Sequence, residues 1–176
     1  VRLGHKVKIF DALPVAGGMV RVGIPPHRLP YERMDWEIQQ VLDEGVELQL
    51  NTYIDDIPGL LRKDEAIGRP DGGPYDAVLI ATGAHVAKKV NIPGNEHPDN
   101  WLSLDFLKKV CLGNPPDLHG HKVAVIVGGN VALDCARSAV RVGAEEVRMI
   151  FRKPKGEMTG FEWEVEIAEE EGVQMC

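Results

Sequence analysis

The sequence is poor in the features that name a chemistry most directly. Its three cysteines, Cys111, Cys135 and Cys176, are odd in number and far apart. Neither a disulfide framework nor a C-x-x-C redox or metal pair can be drawn from them, and a reduced, cytoplasmic setting is expected. No run approaches the roughly 18 apolar residues of a membrane helix, so no membrane association is expected. Basic residues number 20 against 27 acidic ones, for a net charge of -7. With no basic cluster, a nucleic-acid partner is excluded. His119 and His121 flank Gly120 without a third ligand close in sequence, so no metal is expected. No Ser-His-Asp or Cys-His arrangement can be read from the linear order, which leaves hydrolysis unsupported. The opening "VRLGHK" has neither an initiator Met nor the apolar stretch of a signal peptide, so further chain is expected upstream.

What is present is a soluble composition, 44% hydrophobic and 27% charged over 176 residues, and one informative stretch. "KVAVIVGGNVALDCARSAVRVGAEEVRMIFRK" (122–153) reads as a buried strand (Val123 to Val127), a glycine turn, a helix (about Asn130 to Val142) and a second strand (Val147 to Phe151). The end of this pattern has an echo at the start of the chain, where "VRLGHKVKIFDA" (1–12) matches "VRVGAEEVRMIFRK" (140–153). Gly4 and Gly143 both stand where a helix stop favours positive φ, each before a short apolar strand. Each copy is the tail of a β-α-β unit, and the first lacks its leading strand and glycine turn. The copies differ where such units choose a ligand. Asp11 ends the first, and an acid there accepts hydrogen bonds from adenosine ribose hydroxyls. Arg152 and Lys153 end the second, and bases there pair with a 2′-phosphate.

In G-x-G-x-x-G/A the first glycine serves the tight turn, the second the close approach of the backbone to a pyrophosphate, and the third position helix packing. Gly129 and Ala132 fill the later two positions, but Val127 takes the first. A β-branched residue there must either keep a β-like conformation or strain the turn by about 1–3 kcal/mol.

The rest of the chain is punctuated by glycine and proline. "ALPVAGGMVRVGIPPHRLP" (12–30) is expected to be irregular, with Gly17 and Gly18 either admitting a ligand or making a plain turn. Met34, Ile38, Val41 and Leu42 mark an amphipathic helix that stops at Gly45, and "VELQL" (46–50) alternates as a strand. Residues 63–74 read as an exposed turn. "YDAVLIATGA" (75–84) reads as a buried strand ending in small groups, Ala81, Thr82 and Gly83. "WLSLDFLKKV" (101–110) reads as a short helix and 111–122 as a linker. Near the end, Thr159 and Glu162 have capping-box spacing ahead of a helix with Phe161, Val165 and Ala168 on one face. Glu162, Glu166, Glu169 and Glu170 form its solvated face.

Taken in order, "VKIFDALPVAGGMVRVGIPPHRLP", "DAVLIATGA", "NIPG", "LDFL", "KVAVIVGGNVALDCARSAVRVGAEEV", "FRKPKGEM" and "EEEGV" resemble the glutamate synthase small-subunit-like family of FAD and NADPH oxidoreductases. That family includes the N-terminal flavin part of dihydropyrimidine dehydrogenase. The resemblance implies an α/β, Rossmann-like two-dinucleotide-binding flavoprotein fold, here truncated at both ends. Residues 1–115 would be a partial FAD-binding domain and 119–176 a partial NAD(P)H-binding domain. It implies that Asp11, Gly17, Gly18, Met19, Arg28, Ile54, Thr82 and Gly83 serve FAD. Gly128, Gly129, Asn130 and Val131 would cradle the NADPH pyrophosphate, Ala132 would allow close helix packing, and Arg152 with Lys153 would take the 2′-phosphate. Hydride would pass from NADPH to flavin, and electrons onward to an iron-sulfur acceptor or a partner subunit. The two cofactors perform the redox step, so no acid-base pair is required of the protein. The piece alone is expected to hold FAD poorly and to be inactive, and open strand edges invite self-association. From another class, a degenerate or truncated nucleotide-binding or assembly module without its own catalysis fits Val127 and the missing ends.

Overall fold

The computed structural model describes residues 1–62, 74–152, 154 and 157–176. In chain order the elements are β1 (Val7–Phe10), α1 (Gly18–Gly23), α2 (Tyr31–Asp43), β2 (Val46–Gln49), α3 (Ile57–Leu61) and α4 (Ser103–Cys111). They continue with β3 (Lys122–Ile126), α5 (Asn130–Arg141), β4 (Glu146–Ile150), α6 (Glu162–Glu170) and β5 (Gln174–Met175). They form two compact units, Val1–Gly18 with Glu32–Ala84, and Met19–Tyr31 with His85–Cys176. Together they make an α/β, Rossmann-like fold with two parallel sheets.

In the first unit β1 and β2 pair in parallel, Val7 opposite Val46 and Phe10 opposite Gln49. Parallel neighbours need a crossover, and α2 supplies it. Met34 is the buried residue of that helix, and Gly45 leaves it at φ 92°.

The second unit carries the larger core. Its sheet runs β3-β4-β5, all parallel, with Ile126 opposite Ile150. Leu133, Ala136 and Ala139 of α5 pack with Val147 and Met149 of β4, Val165 and Ala168 of α6, and Phe106 and Leu107 of α4. The small residues on α5 let the helix lie close to the sheet. Gly143 ends the helix at φ 102°, and Gly4 stands at φ 89° at the corresponding place of the internal echo.

Three expectations are overturned. Residues 75–84 form no strand: Leu79 is 89% and Ile80 63% exposed. An apolar run states a preference for burial, but a strand exists only by pairing, and residues 75–84 pair with none of the described strands. The segment 12–30 is not wholly irregular, because Gly18–Gly23 forms one short helix. Met19 to Val22, between the two glycines, contain no breaker. Finally, Thr159 does not cap α6. Phe161 occupies the N-cap position without a side-chain cap, while the Thr159 hydroxyl points at the Gly128 carbonyl, 3.5 Å away. The loop's attachment to the glycine turn wins over the local capping box. The turn read at 63–74 falls, except for Pro74, outside the described residues.

Candidate functional site

The turn between β3 and α5 is built from backbone. Val127 N–H donates to the Ile150 carbonyl at 3.0 Å, continuing the β3–β4 ladder by one residue. The chain then reverses at Val127 with φ 95°. Of the two conformations open to this valine, it takes the strained one, at a cost of about 1–3 kcal/mol. Gly129 is the N-cap of α5 and has no side chain to cap it with, and the first turn holds no acid. A helix start of this kind presents N–H groups and a partial positive charge, which suits an anion. Ala132 is buried beneath the turn, whereas Val131 is half exposed. Arg152 follows the paired strand β4 and is exposed. Lys153 lies outside the described residues.

A loop closes one flank of the turn. Gly160 N–H donates to the Gly128 carbonyl at 3.0 Å, and Phe161 N–H donates to Asn130 Oδ1 at 2.9 Å. A Cβ on Gly160 would stand 2.6 Å from Leu133 Cδ1, so a side chain there would have to displace the end of that core leucine.

Behind the turn lies a charge cluster that the sequence reading missed. Arg28 Nη1 is 2.8 Å from Asp134 Oδ2, and Arg28 Nε is 2.8 Å from Glu164 Oε1, out of line for a hydrogen bond. Arg137 Nη1 donates to Glu164 Oε2 at 2.8 Å, and Arg137 Nη2 to Glu171 Oε1 at 2.9 Å. Arg141 completes a fork on Glu171. Glu164 is only 1% exposed. Hydrogen bonds from Arg141 and Arg137 hold the Glu171 carboxyl down at about 2 against its burial. Burial, then the Arg141 and Arg137 charges, push His27 down to about 4. Burial raises Asp134 in spite of Arg28. The signal for this cluster was phase: Glu164, Ala168 and Glu171 share a face of α6, and Arg137 and Arg141 share one of α5. Arg28 therefore sits at this cluster, one helical turn along α5 from Asn130. Met19, in the same unit, lies in α1 with Sδ close under Gly23.

In the first unit Asp11 directly follows β1 and is half buried. Its N–H donates to the Gln49 carbonyl at 3.0 Å and its carbonyl accepts from Thr52 N–H at 2.9 Å. Asp11 Oδ1 accepts from Leu13 N–H at 2.9 Å, which fixes the orientation of the carboxylate. Gly17 and Gly18 adopt φ 110° and 53°. Ile54 is half buried, and Thr82 and Gly83 are exposed.

A bare glycine turn opening a helix between parallel strands, with a base after the neighbouring strand, defines the class of dinucleotide-binding α/β proteins. The sequence model described as pyridine nucleotide-disulphide oxidoreductase matches residues 2–175, and this chain belongs to that family, in its glutamate synthase small-subunit-like branch. It is 44% identical over 174 residues to the NADP(+)-dependent formate dehydrogenase subunit beta of Moorella thermoacetica, covering 97% of this chain and 23% of that protein. It is 36% identical over 176 residues to the NADPH-Fe(3+) oxidoreductase subunit beta of Geobacter sulfurreducens, covering 97% and 25%. Against the NADPH glutamate synthase small chain of Azospirillum brasilense it is 31% identical over 185 residues, covering 97% and 36%. The chain thus spans about a quarter of the first two relatives and just over a third of the third. Among solved structures, FprA of Mycobacterium tuberculosis in complex with NADPH superposes at a TM-score of 0.68 and 24% identity, over 94% of this chain and 40% of that one. That likeness speaks to the fold. Among the described residues, no helix is long and apolar enough to cross a membrane.

Proposed function

We propose that this chain is the nucleotide-handling part of an NADPH-dependent, FAD-containing oxidoreductase that passes hydride from NADPH to flavin and electrons onward to iron-sulfur centres or a partner subunit. The observation that carries the reading is the acid-free start of α5 behind Gly128 and Gly129, with exposed Arg152 two residues beyond the end of the neighbouring strand β4. The backbone of Gly128 to Val131 would hold the pyrophosphate, Ala132 would keep α5 close to the turn, and Arg152 and Lys153 would take the 2′-phosphate. In the first unit Asp11 would bind the adenosine ribose of FAD through its carboxylate. Gly17, Gly18 and Met19 would line the flavin side of the loop, Ile54 would meet the adenine through its backbone, and Thr82 and Gly83 would lie against the FAD pyrophosphate. Arg28, already held by Asp134 and Glu164, would offer its remaining nitrogen. When bound, the two cofactors supply the hydride chemistry, and the protein supplies placement. By cofactor, 1–115 would belong to FAD and 119–176 to NADPH. The names of the Moorella and Geobacter relatives, each a subunit beta, favour work alongside a partner subunit; a cytoplasmic setting and paired copies of this chain belong to the same proposal.

The test is a titration of the full-length protein with NADPH and NADH, followed by the visible absorbance of its flavin. Preference for NADPH with loss of the flavin band supports the reading. Strained Val127 favours the second one, a nucleotide-binding or assembly module without its own catalysis. Nucleotide binding without flavin reduction would select it.

A further inference from the structure

Two of this chain's few large aromatic residues are placed where packing does not explain them. Phe161 is 53% and Trp163 52% exposed, yet their rings lie parallel within 8°, with centroids 6.1 Å apart. They form one offset-stacked aromatic pair, half exposed on the outside of the unit. Phe161 moreover takes the N-cap position of α6, where Ser, Thr, Asp or Asn would stabilise the helix by about 1 kcal/mol over an apolar residue. Local stability is thus forgone to keep a ring there.

The surface is fixed to the glycine turn. Phe161 N–H is held by Asn130 Oδ1 at 2.9 Å, and the preceding Gly160 N–H by the Gly128 carbonyl at 3.0 Å. The pair opens α6, the helix between β4 and β5 in chain order, which packs against α5, and the strand order β3-β4-β5 puts that helix on the β4 side of the turn. A dinucleotide with its pyrophosphate on the turn and its 2′-phosphate at Arg152 would place its adenosine half on that side. The nicotinamide half would leave in the other direction. Half-exposed aromatic rings stack readily on a purine, because ring faces and ring edges carry opposite partial charge.

We propose that Phe161 and Trp163 form the stacking surface for the adenine base of NADPH. The inference rests on the NADPH reading above and extends it to a subsite. The experiment compares full-length wild type with the Phe161→Ala/Trp163→Ala double variant by calorimetric titration against NADPH and against 2′,5′-ADP, which lacks the nicotinamide. Reduced nicotinamide mononucleotide, which lacks the adenosine, is the control for flavin reduction. The expected result is a loss of about tenfold in affinity for both adenosine ligands, with reduction by the mononucleotide unchanged. Trp163→Phe keeps a ring and the packing around it. It should bind 2′,5′-ADP as wild type does, while losing the quenching of tryptophan emission that the ligand causes in wild type. A loss confined to NADPH would overturn the proposal in favour of the nicotinamide, and unchanged affinities would overturn it in favour of a protein partner on this surface. Absence of quenching in wild type saturated with 2′,5′-ADP would also overturn it. Wild type that binds neither nucleotide would instead bring down the NADPH reading itself, and this subsite with it.

Discussion

Arg28 Nη1 lies 2.8 Å from Asp134 Oδ2, so the turn at Pro25–Leu29 is tied to the helix that the glycine turn opens. Asp134 is 4% and Arg28 24% exposed at the side chain, which keeps solvent screening small on one side of the pair. Removing one partner of a buried pair leaves the other charge uncompensated. Arg28→Ala is expected to lower the unfolding free energy by about 3 kcal/mol, read as a drop in urea midpoint. Arg28→Lys should fall between the two, because an ammonium cannot span Asp134 and Glu164 as the guanidinium fork does.

Val127 holds φ at 95°, in a region that glycine enters freely. Val127→Gly removes that strain at some cost in unfolded-chain entropy, for an expected net gain of about 1 kcal/mol. NADPH binding should tighten as well, since the turn can then settle against the pyrophosphate. Denaturation and titration of the same variant check both. Equal affinity with raised stability would leave the valine a purely structural strain.

Acid should unfold the second unit in two windows. The fold holds His27 neutral down to about 4 from an ordinary 6.5. Between these values the unfolded chain takes up the extra proton, and stability falls as the pH drops. Glu171, ordinarily at 4.5 and held at about 2, contributes stability that is lost as the pH falls between those values. Asp134, raised by burial, works in the opposite sense. His27→Gln is expected to flatten the upper window and leave the lower one, as measured by urea midpoints across the pH range.

Arg152→Ala should cost NADPH about tenfold in affinity and leave NADH within about twofold, since only the former carries a 2′-phosphate for a charge-assisted hydrogen bond. The ratio of the two dissociation constants is the readout. An equal loss for both would mean that Arg152 supports the turn rather than selecting the cofactor.

Much of this was legible along the chain, because its causes are local. The strand–turn–helix–strand from Lys122 to Ile150 announces itself in its apolar period and its glycines, and the helix stop at Gly143 needs only its neighbours. Asp11 and Arg152 could be singled out by their position at strand ends. The alternation of a strand does not, however, create a partner for it: residues 75–84 have the pattern without the pairing. Whether Val127 would bend or stay extended could not be read from a β-branched side chain alone, since the choice is made by the Ile150 carbonyl that holds its N–H and by the loop that returns to Gly128. Nor could the linear order reveal that Arg28, Asp134, Glu164, Arg137 and Glu171 meet. Their attraction acts through space in a partly buried cluster, and only the packing of α5 against α6, with the turn at Pro25–Leu29 tied to α5, brings carboxylates and guanidinium groups so far apart in sequence within reach of one another.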